Sequence, residues 1–411
     1  MFTATPTRIA MIALAALVTA LASSCGGDGA SDGGEQKARS VILLIGDGMG
    51  SAHRTAGRLY SVGRGGQLAM DALPVEGASR TWSTESVVTD SAAAGTALAT
   101  GVKTYNDAIA VDTDGKPLPT ILERAKDAGK SVGLVTNVLL PHATPATFAA
   151  HNPDRDDYLS IALDMFNHDV DVLLGGGEDY FLPAGTAGCF PDDGERTDGR
   201  NLVDEAIAKG YRHVCTETDL RAVDAAATEK LLGTFADGNM TRPYAPSLAD
   251  MTGKAIDILD NNSSGFFLMV EGGQIDQAAH VNDALGTLGD VAGFDEAVEV
   301  ALAYQAEHPD TLVIVTADHA TGGLTIEDAP QDGACPDPNQ SDARECTTAL
   351  HEDGPFSESG GGSFWIDWTS NNHTADDTPV MATGPDSQAL DGSYENTHIF
   401  EVMRGALGLE K

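Results

Sequence analysis

The sequence predicts an α/β protein with a large, mainly parallel β-sheet flanked by helices. Short apolar runs with the length and composition of buried strands indicate the sheet; they lie at residues 41–45, 132–136, 172–174, 266–270 and 312–316. Helical patterns stand between some of these runs, as at residues 120–128, where prolines precede the pattern and Gly129 ends it. Strands that alternate with helices are typical of a parallel sheet covered on both faces.

The composition supports a large folded core and excludes nucleic acid as a partner. Of the 411 residues, 42% are hydrophobic and 21% are charged, which suits one large domain or two moderate ones. The 62 acidic residues outnumber the 24 basic ones, and the formal net charge of -38 repels nucleic acids and anionic membranes. Any site for an anionic substrate must therefore be made locally positive by metal ions, arginines or helix N-termini.

The N-terminal segment has the features of a bacterial export signal. Arg8 precedes an apolar run at residues 9–21 that is too short to span a bilayer as a mature anchor, so residues 1–24 are predicted to be a signal peptide. Small residues precede Cys25, which predicts lipidation of this cysteine, and residues 25–39 are predicted to form a flexible tether. We expect an exported protein, periplasmic or at the cell surface, that contacts a membrane only through this lipid. Ordinary secretory cleavage nearby is the alternative.

Residues 40–411 are predicted to form one catalytic domain with two insertions over the sheet, at about 175–260 and 326–372. The four cysteines that remain after Cys25 all lie in these insertions: Cys189, Cys215, Cys335 and Cys346. An even number in an exported chain predicts two disulfides, most simply between neighbours, although three connectivities are possible. A zinc-thiolate cluster is the alternative, but the sequence has no Cys-x-x-Cys spacing to support it.

A candidate nucleophile is Ser91, which stands at the head of a helical pattern of small residues, Ser-Ala-Ala-Ala-Gly-Thr. The first backbone N–H groups of a helix have no partner within the helix, so they and the serine hydroxyl could meet a phosphate. An N-cap serine without catalytic function is the alternative for an isolated serine in this position.

Three carboxylates follow predicted strands and are expected to converge. Asp47, Glu271 and Asp318 each come just after an apolar run, and ligands of open α/β sheets bind beyond the carboxyl ends of the strands. The alternative is that each is a turn residue in a loop.

Together with the carboxylates, several histidines form a pattern that is typical of metal sites. Asp276 and His280 are four residues apart, which places both on one face of a helix, and Asp318 is followed directly by His319. His373 is a third contribution. A surface hydrogen bond is the alternative for the helical pair. Six histidines lack such neighbours and are interpreted as ordinary surface or core residues: His53, His168, His213, His308, His351 and His398.

Taken in order, six segments from residues 45–50 to His373 resemble the alkaline phosphatase family over most of residues 40–411. The resemblance implies a large mixed sheet flanked by helices, a homodimer, and hydrolysis of small phosphate monoesters through a phosphoserine at Ser91. It also implies two Zn²⁺ sites and one Mg²⁺ site. The implied ligands are Asp276, His280 and His373 for the first zinc, Asp47, Asp318, His319 and Ser91 for the second, and Asp47, Thr144 and Glu271 for magnesium.

The resemblance further implies that Arg155 clamps the phosphate, since a planar guanidinium can hold two of its oxygens at once. Two positions depart from common family patterns. His142 stands where some bacterial members have an acidic residue, outside the metal ligands, and Gln277 occupies a variable position near the bound phosphate.

Two other functions remain as alternatives at this stage. A related phosphodiesterase or sulfatase would share much of the metal core, but Arg155 with the trio of Asp47, Thr144 and Glu271 favours a doubly charged terminal phosphate. A non-catalytic scavenger of phosphate or metal would not require Ser91.

Overall fold

The computed structural model describes residues 37–328 and 352–409. The predicted signal peptide, most of the tether and three cysteines lie outside the described residues: Cys25, Cys335 and Cys346. The strands are β1 Ser40–Ile45, β2 Val75–Arg80, β3 Ser131–Leu139, β4 Val172–Gly176, β5 Arg212–Val214, β6 Leu231–Thr234, β7 Phe266–Glu271, β8 Thr311–Thr316, β9 Ala320–Thr321, β10 Leu324–Asp328, β11 Glu352–Ser357, β12 Ser363–Trp368, β13 His373–Thr374, β14 Thr378–Thr383 and β15 Gly392–Glu395.

Helices cover both faces of the main sheet. They are α1 Ser51–Ser61, α2 Ser91–Thr100, α3 Ile121–Asp127, α4 Ala143–Ala149, α5 Tyr158–Asn167, α6 Leu202–Ala208, α7 Glu217–Arg221, α8 Leu248–Leu259, α9 Gln274–His280, α10 Ala284–Glu307 and α11 Thr397–Ala406. Short 3-10 helices occur at Met70–Ala72, Glu178–Phe181, Ala225–Ala227 and Ser387–Leu390. No helix within the two described stretches is long and apolar enough to span a bilayer.

The main sheet has ten strands in the order β15-β2-β14-β8-β1-β7-β3-β4-β6-β5. β14 runs antiparallel to both of its neighbours, whereas the other adjacent pairs are parallel. The predicted mixed, mainly parallel sheet flanked by helices is therefore confirmed.

The five strands predicted from apolar runs are the five adjacent central strands, β8, β1, β7, β3 and β4. Their side chains point alternately into two cores, so a continuous apolar run is required to fill both. In β1, for example, Val41 and Leu43 enter one core while Ile42 and Leu44 enter the other.

The predicted helix at residues 120–128 is α3. Thr120 caps it by accepting a hydrogen bond from the backbone N–H of Glu123, and the Glu123 carboxylate accepts one in return from the backbone N–H of Thr120. This reciprocal arrangement satisfies two backbone donors at the start of the helix.

The segment 175–260 differs from its expected position over the sheet. It adds β6 and β5 to one edge of the sheet, and α8 packs against β3 and β4. These edge strands are too short to give a clear apolar pattern, which is why the sequence did not reveal them. Cys189 and Cys215 form a disulfide in this segment, one of the pairings that the sequence left open.

The described part of the segment 326–372 forms most of a three-stranded antiparallel sheet, ordered β10-β12-β11, outside the main sheet. Its inner face buries Phe364, Ile366 and Trp368 against residues of α1 and α10, among them Ala56 and Leu288. β13 pairs separately with β9, and this pairing places His373 opposite Thr321.

Candidate active site

The site begins where three neighbouring strands end. Ile45 at the end of β1 pairs with Glu271 of β7 on one side and with Thr316 of β8 on the other. Asp47 and Asp318, which lie two residues after the ends of β1 and β8, therefore meet Glu271 at one edge of the sheet. The predicted convergence occurs, and all three side chains are almost fully buried.

Gly48 allows the loop after β1 to approach this edge closely. Its φ is +69°, and its backbone N–H donates to Asp318 Oδ1 at 3.1 Å. A Cβ on this residue would lie 2.7 Å from Thr321 Oγ1 and 2.9 Å from Asp276 Oδ1. Glycine is required here both for the left-handed conformation and for the space.

His319 joins two of the carboxylates to the candidate nucleophile. Its Nε2 lies 3.1 Å from Ser91 Oγ, 3.2 Å from Asp318 Oδ2 and 3.4 Å from Asp47 Oδ1. The Nδ1 atom lies 3.2 Å from Thr321 Oγ1, whose own hydroxyl donates to Asp276 Oδ1. Because the Thr321 oxygen is left to accept, His319 carries its proton on Nδ1, and its Nε2 lone pair faces the carboxylates.

A second group forms around Asp276. His280 Nε2 lies 3.2 Å from Asp276 Oδ2, His373 Nε2 lies 3.6 Å from Asp276 Oδ1, and the two Nε2 atoms are 3.1 Å apart. The Nδ1 atoms of both rings face backbone carbonyls, of Asn371 for His280 and of Thr89 for His373. Such contacts fix the tautomer that leaves Nε2 available to a metal ion.

The third group surrounds Glu271. Its Oε2 accepts a hydrogen bond from Thr136, while its Oε1 points toward His142 Nδ1, 3.9 Å away. Burial raises the pKa of Glu271, and the hydroxyls of Thr136 and Thr144 oppose that shift. Thr144 itself is fully buried in the first turn of α4.

These groups leave negative charge without compensation in the protein interior. Both oxygens of Asp47, Oε1 of Glu271 and Oδ2 of Asp318 are buried and accept no hydrogen bond from the described residues. Burial, followed by repulsion from neighbouring carboxylates, raises the pKa of Asp47 well above its usual value. Burial lowers the pKa of His319, which keeps that ring neutral. Divalent cations would satisfy both the oxygens and the imidazole lone pairs, so the donor set fits bound metal ions.

Ser91 lies at the first position of α2, and its side chain is buried beside His319. The helix is capped by Asp90, whose Oδ1 accepts from the backbone N–H of Ala93 at 2.9 Å. Small residues let α2 pack closely against α4: a Cβ on Gly95 would lie 2.6 Å from Thr147 Oγ1. Close packing thus fixes the serine at the sheet edge.

Arg155 reaches the same place from the loop before α5. Its Nη1 donates to Asp90 Oδ2 at 2.9 Å, and its Nη2 lies 3.5 Å from His142 Nε2. Burial lowers the pKa of His142 to about 3, so the ring is neutral and can accept from the guanidinium. The arginine pairs with Asp90 rather than with its sequence neighbours Asp154 and Asp156.

Gln277 lies on α9 beside the Asp276 group. Its side chain is half-buried, and its Nε2 is 3.5 Å from Asp276 Oδ2. An uncharged amide therefore lies next to Asp276, and its contact with bound phosphate stays a prediction.

Sequence reasoning missed three residues that orient the site: Asp90, Thr136 and Thr321. Asp90 holds Arg155, while the two threonines donate hydrogen bonds to Glu271 and Asp276. Asp90 and Thr321 lie within two residues of Ser91 and His319, so proximity in sequence was the available signal. No such signal pointed to Thr136, because its contact with Glu271 depends on the pairing of β3 with β7.

Known proteins resemble this chain in both sequence and fold. The family model of alkaline phosphatase matches residues 38–409. This chain belongs to the alkaline phosphatase family. It is 36% identical to alkaline phosphatase 4 of Bacillus subtilis over 89% of each chain, and 37% identical to streptomycin-6-phosphate phosphatase of Streptomyces griseus over 97% of this chain and 96% of that protein.

The fold agrees with that of a solved family member. The structure of the alkaline phosphatase from the Antarctic bacterium TAB5 matches with a TM-score of 0.76 at 29% identity, covering 92% of this chain and 99% of that one. As an alkaline phosphatase family member with these relatives, the protein is a hydrolase of phosphate monoesters.

Replacing Arg155 tests whether this residue binds phosphate or has only a structural function. We expect Arg155→Ala to raise the inhibition constant for inorganic phosphate about 10- to 100-fold, since charged hydrogen bonds contribute about 1.5–3 kcal/mol. Arg155→Lys should recover only part of the loss, because lysine lacks the planar fork. The inhibition constants are measured at fixed ionic strength together with metal content.

Arg404 provides the matched control, since its side chain is mostly buried, like that of Arg155, and it pairs with Glu401 within α11. Arg404→Ala should leave phosphate inhibition unchanged. Loss of metal from Arg155→Ala in parallel with activity would contradict a function in substrate binding.

Proposed function

We propose that the protein hydrolyses phosphate monoesters through a covalent phosphoserine at Ser91, at a site that holds two Zn²⁺ ions and one Mg²⁺ ion. The observation that carries this proposal is the position of Ser91 Oγ, 3.1 Å from a neutral imidazole that also faces Asp47 and Asp318. A serine that only caps a helix would not require buried carboxylates beside its hydroxyl.

The donor atoms support the assignment of metals to sites. Asp276, His280 and His373 supply two nitrogens and a carboxylate, a set that suits zinc. The group of Asp47, Asp318, His319 and Ser91 also mixes nitrogen with oxygen donors. Asp47, Thr144 and Glu271 offer oxygen alone, which is the preference of magnesium.

His142 adjoins this third group without adding a free lone pair to it. In the neutral ring, Nε2 accepts from Arg155, so the proton lies on Nδ1 and faces Glu271. His142 therefore links the phosphate-binding arginine to a magnesium ligand. A mutant of the TAB5 enzyme with one histidine replaced by aspartate has been solved with magnesium bound in its M3 site.

The residues of the chain would act on the substrate in a defined order. Arg155, held by Asp90, orients the phosphate through its peripheral oxygens. Ser91 Oγ then attacks phosphorus, the alcohol leaves, and water later hydrolyses the phosphoserine to return the free hydroxyl and inorganic phosphate. Bound metal ions would supply Lewis acidity, lowering the pKa of oxygens they contact and screening the charge of the phosphate. Gln277 would contact phosphate without adding charge.

Two other functions are less consistent with this site. A diesterase or sulfatase acts on a singly charged group. Such a group needs less positive charge than an arginine and three cation sites together would provide. A scavenger of phosphate or metal would not need a serine hydroxyl among the ligands. Streptomycin-6-phosphate phosphatase is by its name a monoesterase, and it covers nearly the whole of this chain.

Substrate preference and chelation test the proposed reaction together. We expect hydrolysis of p-nitrophenyl phosphate to exceed that of bis-p-nitrophenyl phosphate and p-nitrophenyl sulfate by several orders of magnitude. EDTA should abolish all activity because the buried carboxylates lose their counter-ions, and zinc with magnesium should restore it. Full activity after chelation, or preference for the diester, would refute the proposal.

The covalent intermediate is a separate prediction. Acid quenching of the enzyme with labelled phosphate should leave the label on the peptide that contains Ser91. Ser91→Ala should carry no label, whereas Ser86→Ala, in the preceding loop, should be labelled like the wild type. Label on any other residue of the wild-type protein would disprove the assignment.

We also propose that the protein is exported as a lipid-anchored homodimer. The apolar run at residues 9–21 and Cys25 support export, as does the disulfide between Cys189 and Cys215, because such bonds persist in oxidising compartments. Mass spectrometry of the protein expressed in bacteria should find residues 1–24 removed and a lipid on Cys25, and light scattering in detergent should give a dimer. An intact N-terminus would contradict export.

A further inference from the structure

A compact group of metal-binding side chains lies outside the active site. It consists of Glu123 on α3, His151 just after α4, and His168 at the end of α5. Glu123 Oε1 lies 3.0 Å from His151 Nε2 and 2.8 Å from His168 Nε2. These three atoms all lie within 4.8 Å of one another. None of the three residues is among the proposed catalytic groups.

Both imidazole rings are held so that Nε2 points at the carboxylate. His151 Nδ1 lies 2.9 Å from the backbone oxygen of Ala110, and His168 Nδ1 lies 3.0 Å from that of Asp164. A carbonyl oxygen can only accept, so each Nδ1 carries a hydrogen. In the neutral ring, each Nε2 then has a lone pair directed at Glu123. This is the arrangement that carbonyl partners impose on histidine ligands of metals.

Glu123 is oriented independently of the histidines. Its Oε2 accepts a hydrogen bond from the backbone N–H of Thr120 at 2.8 Å, as part of the cap of α3. Its Oε1 is thereby turned toward both rings. The three potential ligands are thus each fixed by a second hydrogen bond, before any ion binds.

If both rings are neutral, two Nε2 lone pairs face the Glu123 carboxylate oxygen. These atoms repel one another unless protons or a cation lie between them. Protons on both Nε2 atoms would create two imidazolium ions with ring centroids only 5.5 Å apart, sharing one carboxylate. One divalent cation would instead satisfy both lone pairs and the carboxylate oxygen at once.

The spacing is suitable for a first-row transition metal. Two ligands that are each about 2.1 Å from an ion lie about 3.0 Å apart at the right angles of an octahedral site, and about 3.4 Å apart in a tetrahedral site. The observed nitrogen-to-oxygen separations of 2.8 and 3.0 Å are closer to the octahedral value. Two histidines with one carboxylate are also a set that leaves further positions for water.

An ion could reach these atoms from solvent. The three side chains form part of the wall of an open cavity of about 610 Å³, and between 13% and 28% of each side chain is exposed. Asp127 and Asp169 also line this cavity and favour the entry of a cation.

We propose that Glu123 Oε1, His151 Nε2 and His168 Nε2 bind one divalent transition-metal ion of the zinc class, in addition to the ions of the active site. The ion would connect α3, α5 and the loop that begins at His151 and continues to Arg155. It would stabilise this loop and would take no part in the reaction. No pattern in the sequence indicated this site, because Glu123, His151 and His168 are distant from one another in the chain.

Metal content of the intact holoenzyme tests the proposal. The protein is equilibrated with micromolar zinc, desalted, and analysed by inductively coupled plasma mass spectrometry. We expect His168→Asn and Glu123→Gln each to contain one zinc ion fewer per chain than the wild type. Glutamine at position 123 can still cap α3, so the second variant keeps the fold while removing the charge. His398→Asn is the control, because this exposed histidine faces a single carbonyl, that of Ala389.

The same variants separate this site from the active site. Their turnover of p-nitrophenyl phosphate should match the wild type, whereas their melting temperature in zinc should fall by several degrees. With cobalt as the probe, the wild type should show more absorbance per chain than His168→Asn. Equal zinc content in the wild type and both variants would overturn the proposal and leave an ion-paired cluster of protonated histidines. Loss of zinc together with turnover would overturn it as well, since the missing ion would then be catalytic.

Discussion

The burial of unpaired carboxylates at one edge of the sheet is the constraint on which the site depends. Parallel pairing of β1 with β7 and β8 forces Asp47, Glu271 and Asp318 together, where no described residue donates to several of their oxygens. An uncompensated carboxylate in an apolar interior is costly, so the native site requires cations. Bound cations would thus reverse the local charge and let a protein with a net charge of -38 receive an anionic substrate.

The helices around this edge position the serine and the arginine of the site. α2 brings Ser91 to the ligands because its small residues allow close packing on α4, and its capping residue also holds Arg155. Asp90 therefore has two functions, since one oxygen caps the start of α2 and the other orients the arginine. Membership of the alkaline phosphatase family agrees with this arrangement.

The same property of histidine governs the active site and the cluster around Glu123. In each, a carbonyl or hydroxyl oxygen fixes the proton on Nδ1 and leaves Nε2 facing a carboxylate. A neutral ring so placed needs a cation opposite it. The two sites differ in burial: Asp47 and His319 are inaccessible to solvent, whereas His151 and His168 border an open cavity.

The sequence by itself determined the five central strands, because a strand whose side chains enter two cores must be apolar along its whole length. It also determined short-range pairs such as Asp276 with His280. It did not reveal the edge strands β5 and β6 or the place of residues 175–260, since short strands at the edge of a sheet carry little pattern. Only the tertiary structure decided that Arg155 pairs with Asp90, that Thr136 bonds Glu271, and that His168 joins Glu123 and His151. Each of these contacts joins segments that are distant in the chain, and strand order and helix packing fix which distant segments meet.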